Sequence, residues 1–445
     1  MKRKSTFIVA GLTFAFAAFN FCPSLCMRTL AEEDLRNCVV INDNTDKTFE
    51  SISDAVDHAK NGDKITVYPG TYTENVEIDK DGITVTGLPG AVIDGTGINL
   101  NKENEALFYI QAKGISVSNL EFTGLVQEGP STGAVPKAIA VDEGSEDITV
   151  SGCTIHDMGV EYTSESQKYN AHGIYVEAQP DNPVKNVKIL KNTVYNLTLG
   201  QSEAIVVNGN VDGFEISENY VHDCDNIGID AIGYEQDGSE NDRAHNGSIH
   251  DNTVVSISSG SNPTYEGDAC ADGIYVDGGY DIDIFNNYVS DSDIGIEVST
   301  EHHKKITTGV DVYNNILINN NRVGGITLGG YDSHENGSIE NCKIYNNTVY
   351  NTAKTCLNIQ YACSSTNEIH NNIFIASANA EIYTEYLDDL SRGNTIKDNM
   401  TSPAIHAEGY TPFNLTGITP SNRTVVINTP DDLTGYGADW TVINH

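Results

Sequence analysis

From about residue 147 to 375 the chain repeats one arrangement of apolar and polar positions: an aliphatic residue, two variable positions, an Asn, one variable position and another apolar residue. It reads Ile189-x-x-Asn192-x-Val194, Ile216-x-x-Asn219-x-Val221, Ile249-x-x-Asn252-x-Val254, Ile284-x-x-Asn287-x-Val289, Val312-x-x-Asn315-x-Leu317, Ile344-x-x-Asn347-x-Val349 and Ile369-x-x-Asn372-x-Phe374. Val150-x-x-Cys153-x-Ile155 is a variant with Cys in the Asn slot. The Asn residues are 27, 33, 35, 28, 32 and 25 positions apart, which describes a fixed core step with loops of variable length. A second phrase precedes each of these units: Gly173-Ile174-Tyr175-Val176, Ala204-Ile205-Val206-Val207, Gly228-Ile229-Asp230-Ala231, Gly273-Ile274-Tyr275-Val276, Gly295-Ile296-Glu297-Val298 and Gly325-Ile326-Thr327-Leu328. Short alternating runs bounded by Gly, Asn and Asp predict strands rather than helices. Two or three strands per unit, stacked on their neighbours, predict an all-β solenoid, a right-handed parallel β-helix. Asn at the bends fits a structural ladder, because Asn tolerates the left-handed backbone and its amide can bond to the turns above and below.

The flanks differ from the repeat. Met1-Lys2-Arg3-Lys4 and the apolar stretch Phe7 to Phe21 have the form of a secretory signal peptide over 1–31, with Thr29-Leu30-Ala31 at the cleavage position. Residues 32–63 read as a lead-in followed by an N-terminal capping helix over 49–60, whose apolar positions are Ile52, Ala55, Val56 and Ala59 and whose stop is Asn61-Gly62. The β-helix is expected over 64–399. Residues 400–445, with Pro403, Pro412, Pro420 and Pro430, lose the repeat and read as a C-terminal cap or tail. The protein is therefore expected to be secreted, monomeric and free of membrane insertion once the signal is removed.

Charge narrows the partners. A formal charge of −38, made more negative by loss of Lys2, Arg3, Lys4 and Arg28 with the signal, excludes nucleic acid and anionic membranes and favours divalent cations. After signal removal seven Cys remain: 38, 153, 224, 270, 342, 356 and 363. Their spacing holds no zinc pattern, and Cys356 and Cys363 stand as a candidate pair, bridged or free.

Register supplies the candidate chemistry. If Ile174, Ile205, Ile229, Ile274, Ile296 and Ile326 point inward, then Tyr175, Val206, Asp230, Tyr275, Glu297 and Thr327 form one outward column. Glu177, Asn208, Ile232, Asp277, Ser299 and Gly329 form a second. Carboxylates stacked on adjacent coils repel, and a cation or a shared proton relieves them. The loops 125–137, 159–171, 234–247 and 258–271 are expected to build a cleft beside this column. His302 and Lys304 follow Glu297 closely, and Arg322 at the mouth of the next coil could clamp a carboxylate.

Two segments carry a family resemblance. Ala55 to Lys60, Gly62-Asp63, Ile65 to Tyr68 and Pro69-Gly70-Thr71-Tyr72-Thr73-Glu74 resemble the opening of many pectate-lyase-like β-helix proteins. Asn226-Ile227-Gly228-Ile229-Asp230, with Asp225 before it and Glu203 one coil earlier, is similar to the calcium-binding segment of polysaccharide lyase family nine. The resemblance implies Ca²⁺ at Glu203, Asp225 and Asp230, and a secreted lyase cleaving pectate or a related uronate polymer by β-elimination. The family's catalytic Lys has no counterpart in Gly273 to Gly279 or Gly325 to Gly330. The base would then be Tyr275, His302 or Lys304, with Glu297 in the same column, Arg322 assisting charge neutralisation, and Tyr175, Glu177 and Asp277 contacting the polysaccharide. Two other readings stay open: a glycoside hydrolase using two of Asp230, Asp277 and Glu297, and a non-catalytic glycan-binding or surface scaffold.

Overall fold

The computed structural model describes residues 39–129, 133–162, 169–332, 334–361, 363, 366–377, 380–385, 394–401 and 418–420. The signal segment 1–31, Cys38 and most of the C-terminal region 400–445 lie outside these residues. The described strands lie in three sheets, of 15, 14 and 11 strands, and within each sheet almost every neighbour is parallel and comes from the next turn of the chain. This is a parallel β-helix. The exception is the first edge, where Val40–Asn42 pairs antiparallel with both Lys47–Phe49 and Lys64–Val67. Within 49–60 the helix is confined to Ile52–Asp57 and buries Ile52, Ala55 and Val56. Ser51 Oγ accepts from Asp54 N, and the Glu74 carboxylate accepts from Ile52 N and Ser53 N at 2.9 Å, so an anion satisfies the free amides of the first turn. Among the described residues no helix is long and apolar enough to cross a membrane.

The inward phrase is observed as expected: Ile174, Ile205, Ile229, Ile274, Ile296 and Ile326 are all fully buried in one core that runs the length of the coil. The Asn ladder is also present. Asn192, Asn219, Asn252, Asn287, Asn315, Asn347 and Asn372 each donate through Nδ2 to the Oδ1 of the next at 2.9–3.0 Å, and Asn399 extends the series by one rung. The ladder Asn does not itself take the left-handed conformation. That role falls to the residue before it, at Lys191, Glu218, Asp251, Asn286, Asn314, Asn346, Asn371 and Asp398, whose φ values lie between 53° and 58°. The turn residue bends the chain and frees the Asn side chain to point inward. Cys356 is a free thiol, fully buried with Sγ 3.2 Å from Thr352 Oγ1, so a Cys356–Cys363 bridge is not formed.

Burial separates the sheets. Strands of the first sheet alternate buried and open positions, as in Lys64–Val67 and Val187–Ile189, because one face is core and the other is solvent. In the third sheet Lys137–Val141, Ile205–Gly209, Ile229–Ile232, Asp272–Asp277 and Gly324–Leu328 are buried at every position. Its outer face is covered by loops. Gly200 pins this cover: its φ is +68°, its N–H donates to Tyr162 Oη at 3.0 Å, and its carbonyl accepts from Asn262 Nδ2 at 2.7 Å. A Cβ there would sit 1.8 Å from the Tyr169 carbonyl oxygen. Gly200→Ala is expected to cost about 3 kcal/mol, and a melt that moves little, with loop 258–271 still resistant to protease, would contradict this account.

Candidate functional site

The outer column of the third sheet follows the register Tyr175, Val206, Asp230, Tyr275, Glu297, Thr327 and Asn358. The second column is continuous through Glu177, Asn208 and Ile232, then breaks. Ile232 bridges antiparallel to Gly278, and Asp277 pairs onward with Ser299.

These positions gather an acidic group under the loops. Asp230, Asp272 and Asp277 are 1%, 4% and 5% exposed and Glu203 is 7% exposed. Burial, then Glu203 and Asp277, push the Asp230 carboxyl well above the usual carboxylate range. Asp272 is raised in the same way by burial, then by Glu297 and Asp230. Burial and the neighbouring Glu301 push Asp277 up to about 7 and Glu297 up to about 8. Asp277 Oδ1 accepts from Glu301 N at 2.8 Å, which fixes the loop after Ser299 over the group. Asp230 Oδ1 and Asp272 Oδ1 are buried with no hydrogen-bond partner. A buried carboxylate oxygen left bare is expected of a group that awaits a cation or carries a proton. Among the described residues no three His, Cys, Asp or Glu side chains already converge as an ion cage.

Several expected participants are elsewhere. Asp225 is not part of the acidic group: its Oδ1 accepts from Leu199 N at 2.6 Å and its Oδ2 from the Tyr162 hydroxyl. It anchors the loop cover. Tyr275 lies between Asp230 and Glu297 and is 5% exposed, and burial, then Asp277 and Glu297, hold its hydroxyl protonated. His302 is half-buried, and its contact with Glu235, at 3.5 Å, raises its pKa. A group held protonated is a poor base. Lys304 sits on an exposed left-handed turn residue at φ 63°, and Arg322 is exposed with its backbone N–H donating to Asp293 O.

The other end of the group joins His172, at the end of a Gly-Ile strand, to Lys137, which lies one coil upstream of those phrases. Lys137 and His172 pair in register at the start of neighbouring strands and are 6% and 7% exposed. His172 Nδ1 lies 3.4 Å from Glu203 Oε2, and its ring centroid is 4.5 Å from that of Tyr175. Lys137 Nζ sits 5.0 Å from the Tyr175 ring centroid and is paired with Glu105. Burial, then Glu177, raises the Tyr175 hydroxyl, and Glu177 Oε1 accepts from Gln236 Nε2 at 2.7 Å. Lys137-Ala138-Ile139-Ala140-Val141 is one more copy of the inward phrase with Lys-Ala in place of His-Gly, and extending the alignment one coil upstream would have found it.

The face therefore runs from a Lys-His-Tyr group to a carboxyl group across consecutive coils. Such an arrangement can remove a proton at one end and neutralise or protonate an oxygen at the other.

No family model matches the chain. Among solved structures it is similar to the polysaccharide lyase family six alginate lyase AlyGC, with a TM-score of 0.54 and 15% identity over 87% of this chain and 55% of that one. It is also similar to the family 136 glycoside hydrolase lacto-N-biosidase from Eubacterium ramulus, with a TM-score of 0.55 and 14% identity over 81% of this chain and 65% of that one. The A-module of the Azotobacter vinelandii mannuronan C-5 epimerase AlgE6 matches with a TM-score of 0.50 and 12% identity over 79% and 93%. The chain thus spans about half of the alginate lyase and under two thirds of the lacto-N-biosidase. At these identities the likeness is one of fold, the parallel β-helix shared by polysaccharide lyases and their relatives. In sequence, 391 residues are 34% identical to the uncharacterized protein YwoF of Bacillus subtilis (strain 168), covering 80% of this chain and 76% of that one. The chain belongs to the family of YwoF.

Proposed function

We propose that this protein is an exported carbohydrate-active enzyme that cleaves a uronate-containing polysaccharide by β-elimination on the outer face of the third sheet. One observation carries the reading: His172 stands against both the Tyr175 ring and Glu203, which in turn acts on buried Asp230 one coil further on. Asp230 and Asp272, each with a buried oxygen that has no hydrogen-bond partner, and Glu203 would be the residues that hold a Ca²⁺, drawing together on the ion as it binds. Bound there, the ion would neutralise the uronate carboxylate and acidify the proton at C5. His172 Nδ1 faces the Glu203 carbonyl oxygen at 3.2 Å and so carries the ring proton, which leaves Nε2 to take the proton from C5. The electron pair released from C5–H forms the C4–C5 double bond as the C4–O bond breaks. Tyr175, whose hydroxyl stays protonated, donates to the departing oxygen. Lys137 beside the Tyr175 ring holds it in place. The short helix at Ile52–Asp57 shields the open end of the first coil in this reading.

A second reading rests on Asp277 and Glu297. Carboxyls at about 7 and about 8 include one that is protonated and one that ionises near neutral pH, as a glycoside hydrolase needs.

The test is incubation of the purified protein with polygalacturonate, alginate and mixed uronate polymers, with and without a calcium chelator. The ultraviolet absorbance of an unsaturated product is expected, lost on chelation and reduced by at least ~100-fold in His172→Gln. Reducing ends without absorbance would replace elimination by hydrolysis. Glycan binding without any product would leave a scaffold.

A further inference from the structure

Upstream of the acidic group, the outer column of the third sheet continues as Glu77, Tyr109, Ala140 and Tyr175. Two tyrosines stand two coils apart with an alanine between them. Coils about 4.8 Å apart leave a slot of about 10 Å between the two tyrosine backbones, and Ala140 is its floor. The slot belongs to a cavity of about 410 Å³ that both tyrosines and Ala140 line. That volume lies within the range of about 300–1,000 Å³ usual for a small-ligand site.

The walls are fixed before any ligand arrives. The Tyr109 hydroxyl donates to Asp142, Glu177 Oε1 accepts from Gln236 Nε2, and Lys137 lies over the Tyr175 ring while paired with Glu105. Five carboxylates and two lysines line the cavity, so an anionic sugar meets net repulsion there. The Tyr109 face beside a hydroxyl-binding polar wall suits a pyranose ring, whose carbon face stacks while its hydroxyls donate to carboxylates, and the Tyr175 ring with Lys137 laid over it closes the far side.

We infer that the slot between Tyr109 and Tyr175 is a subsite for a non-anionic pyranose. The inference rests on the polysaccharide reading above and deepens it: the polymer is a heteropolysaccharide. Its uronate lies at Glu203 and Asp230, and its uncharged residue lies about three coil steps, about 14 Å, upstream.

Ala140→Tyr fills the slot with a side chain that the same outward ladder already carries on both sides, and Ala140→Leu fills it with a smaller one should the first variant fail to fold. Binding of cellohexaose, chitohexaose and hexagalacturonate is measured by calorimetry in chelator. At least one of the two uncharged oligosaccharides is expected to bind at least tenfold more tightly than hexagalacturonate, and the slot-filling variant is expected to weaken it at least tenfold. Binding of hexagalacturonate that is lost on filling the slot would overturn the inference. So would uncharged-oligosaccharide binding that filling leaves unchanged, or no binding of any probe to the folded wild type. Asp230→Asn separates the two claims, because loss of slot binding refutes the subsite whereas retained turnover in Asp230→Asn refutes the reaction centre.

Discussion

Asn252→Ala is expected to destabilise the middle of the coil by about 4 kcal/mol while leaving the site untouched. Asn252 Oδ1 accepts from both Asn219 N and Asn219 Nδ2 at 3.0 Å, and its Nδ2 donates to Ile216 O at 2.8 Å and to Asn287 Oδ1 at 3.0 Å. Alanine removes the amide and strands the Asn219 N–H and the Ile216 carbonyl in a region where Asn219 and Asn252 are each 1% exposed. Each stranded buried group costs about 1–3 kcal/mol. Asn252→Asp fares no better, since a carboxylate cannot donate to Ile216 O. Because each coil contacts only its neighbours, the loss stays local and denaturation should split into two steps, one for the flanking coils and one for the weakened centre. A single transition with an unchanged midpoint, read by circular dichroism and hydrogen exchange, would mean that the ladder is ornament on a core that stands without it.

The ladder was legible in sequence because it depends on a residue type at a fixed offset from an apolar pair, and both recur in each coil from Asn192 to Asn372. The outward column from Tyr175 to Thr327 was legible for the same reason, since a period of two fixes which side chains share a face once one Ile is placed inward. What lay beyond reach was anything set by contacts between distant loops. Asp225 sits next to the calcium-like segment in sequence, yet its oxygens are taken by Tyr162 and Leu199, 63 and 26 residues away. No spacing rule announces that. The outward column reads as solvent-facing in sequence, but the loops over it bury Asp230 and Tyr275 and so give them their chemistry. Lys137 escaped because its strand carries Lys-Ala where the later phrases carry Gly, and because the family's lysine is expected downstream while the cationic end of the face lies upstream.

Asp230→Asn is expected to do two opposite things at once: abolish turnover by ~1,000-fold or more and make the calcium-free protein more stable at pH 8. The stability gain follows from the sign of the pKa shifts. An Asp or Glu ionises near pH 4 in the unfolded chain, whereas Asp277 and Glu297 reach about 7 and about 8 in the fold and Asp230 is also raised. Between those values the folded protein holds more protons than the unfolded chain, so stability present near pH 4 is lost as the pH rises through 8. Each group contributes a slope of up to about 1.4 kcal/mol per pH unit within its own window. Asparagine at 230 removes one of these groups and the repulsion it exerts on Glu203, Asp272 and Asp277, so the fall of stability with pH becomes shallower. Calcium should flatten the same slope in the wild type by replacing protons, and should do less in Asp230→Asn. Thermal melts from pH 4 to 9, with chelator and with calcium, decide the matter. An unchanged slope together with unchanged turnover would remove Asp230 from the site, whereas a shallower slope with full turnover would keep the electrostatic account and move the chemistry elsewhere on the face.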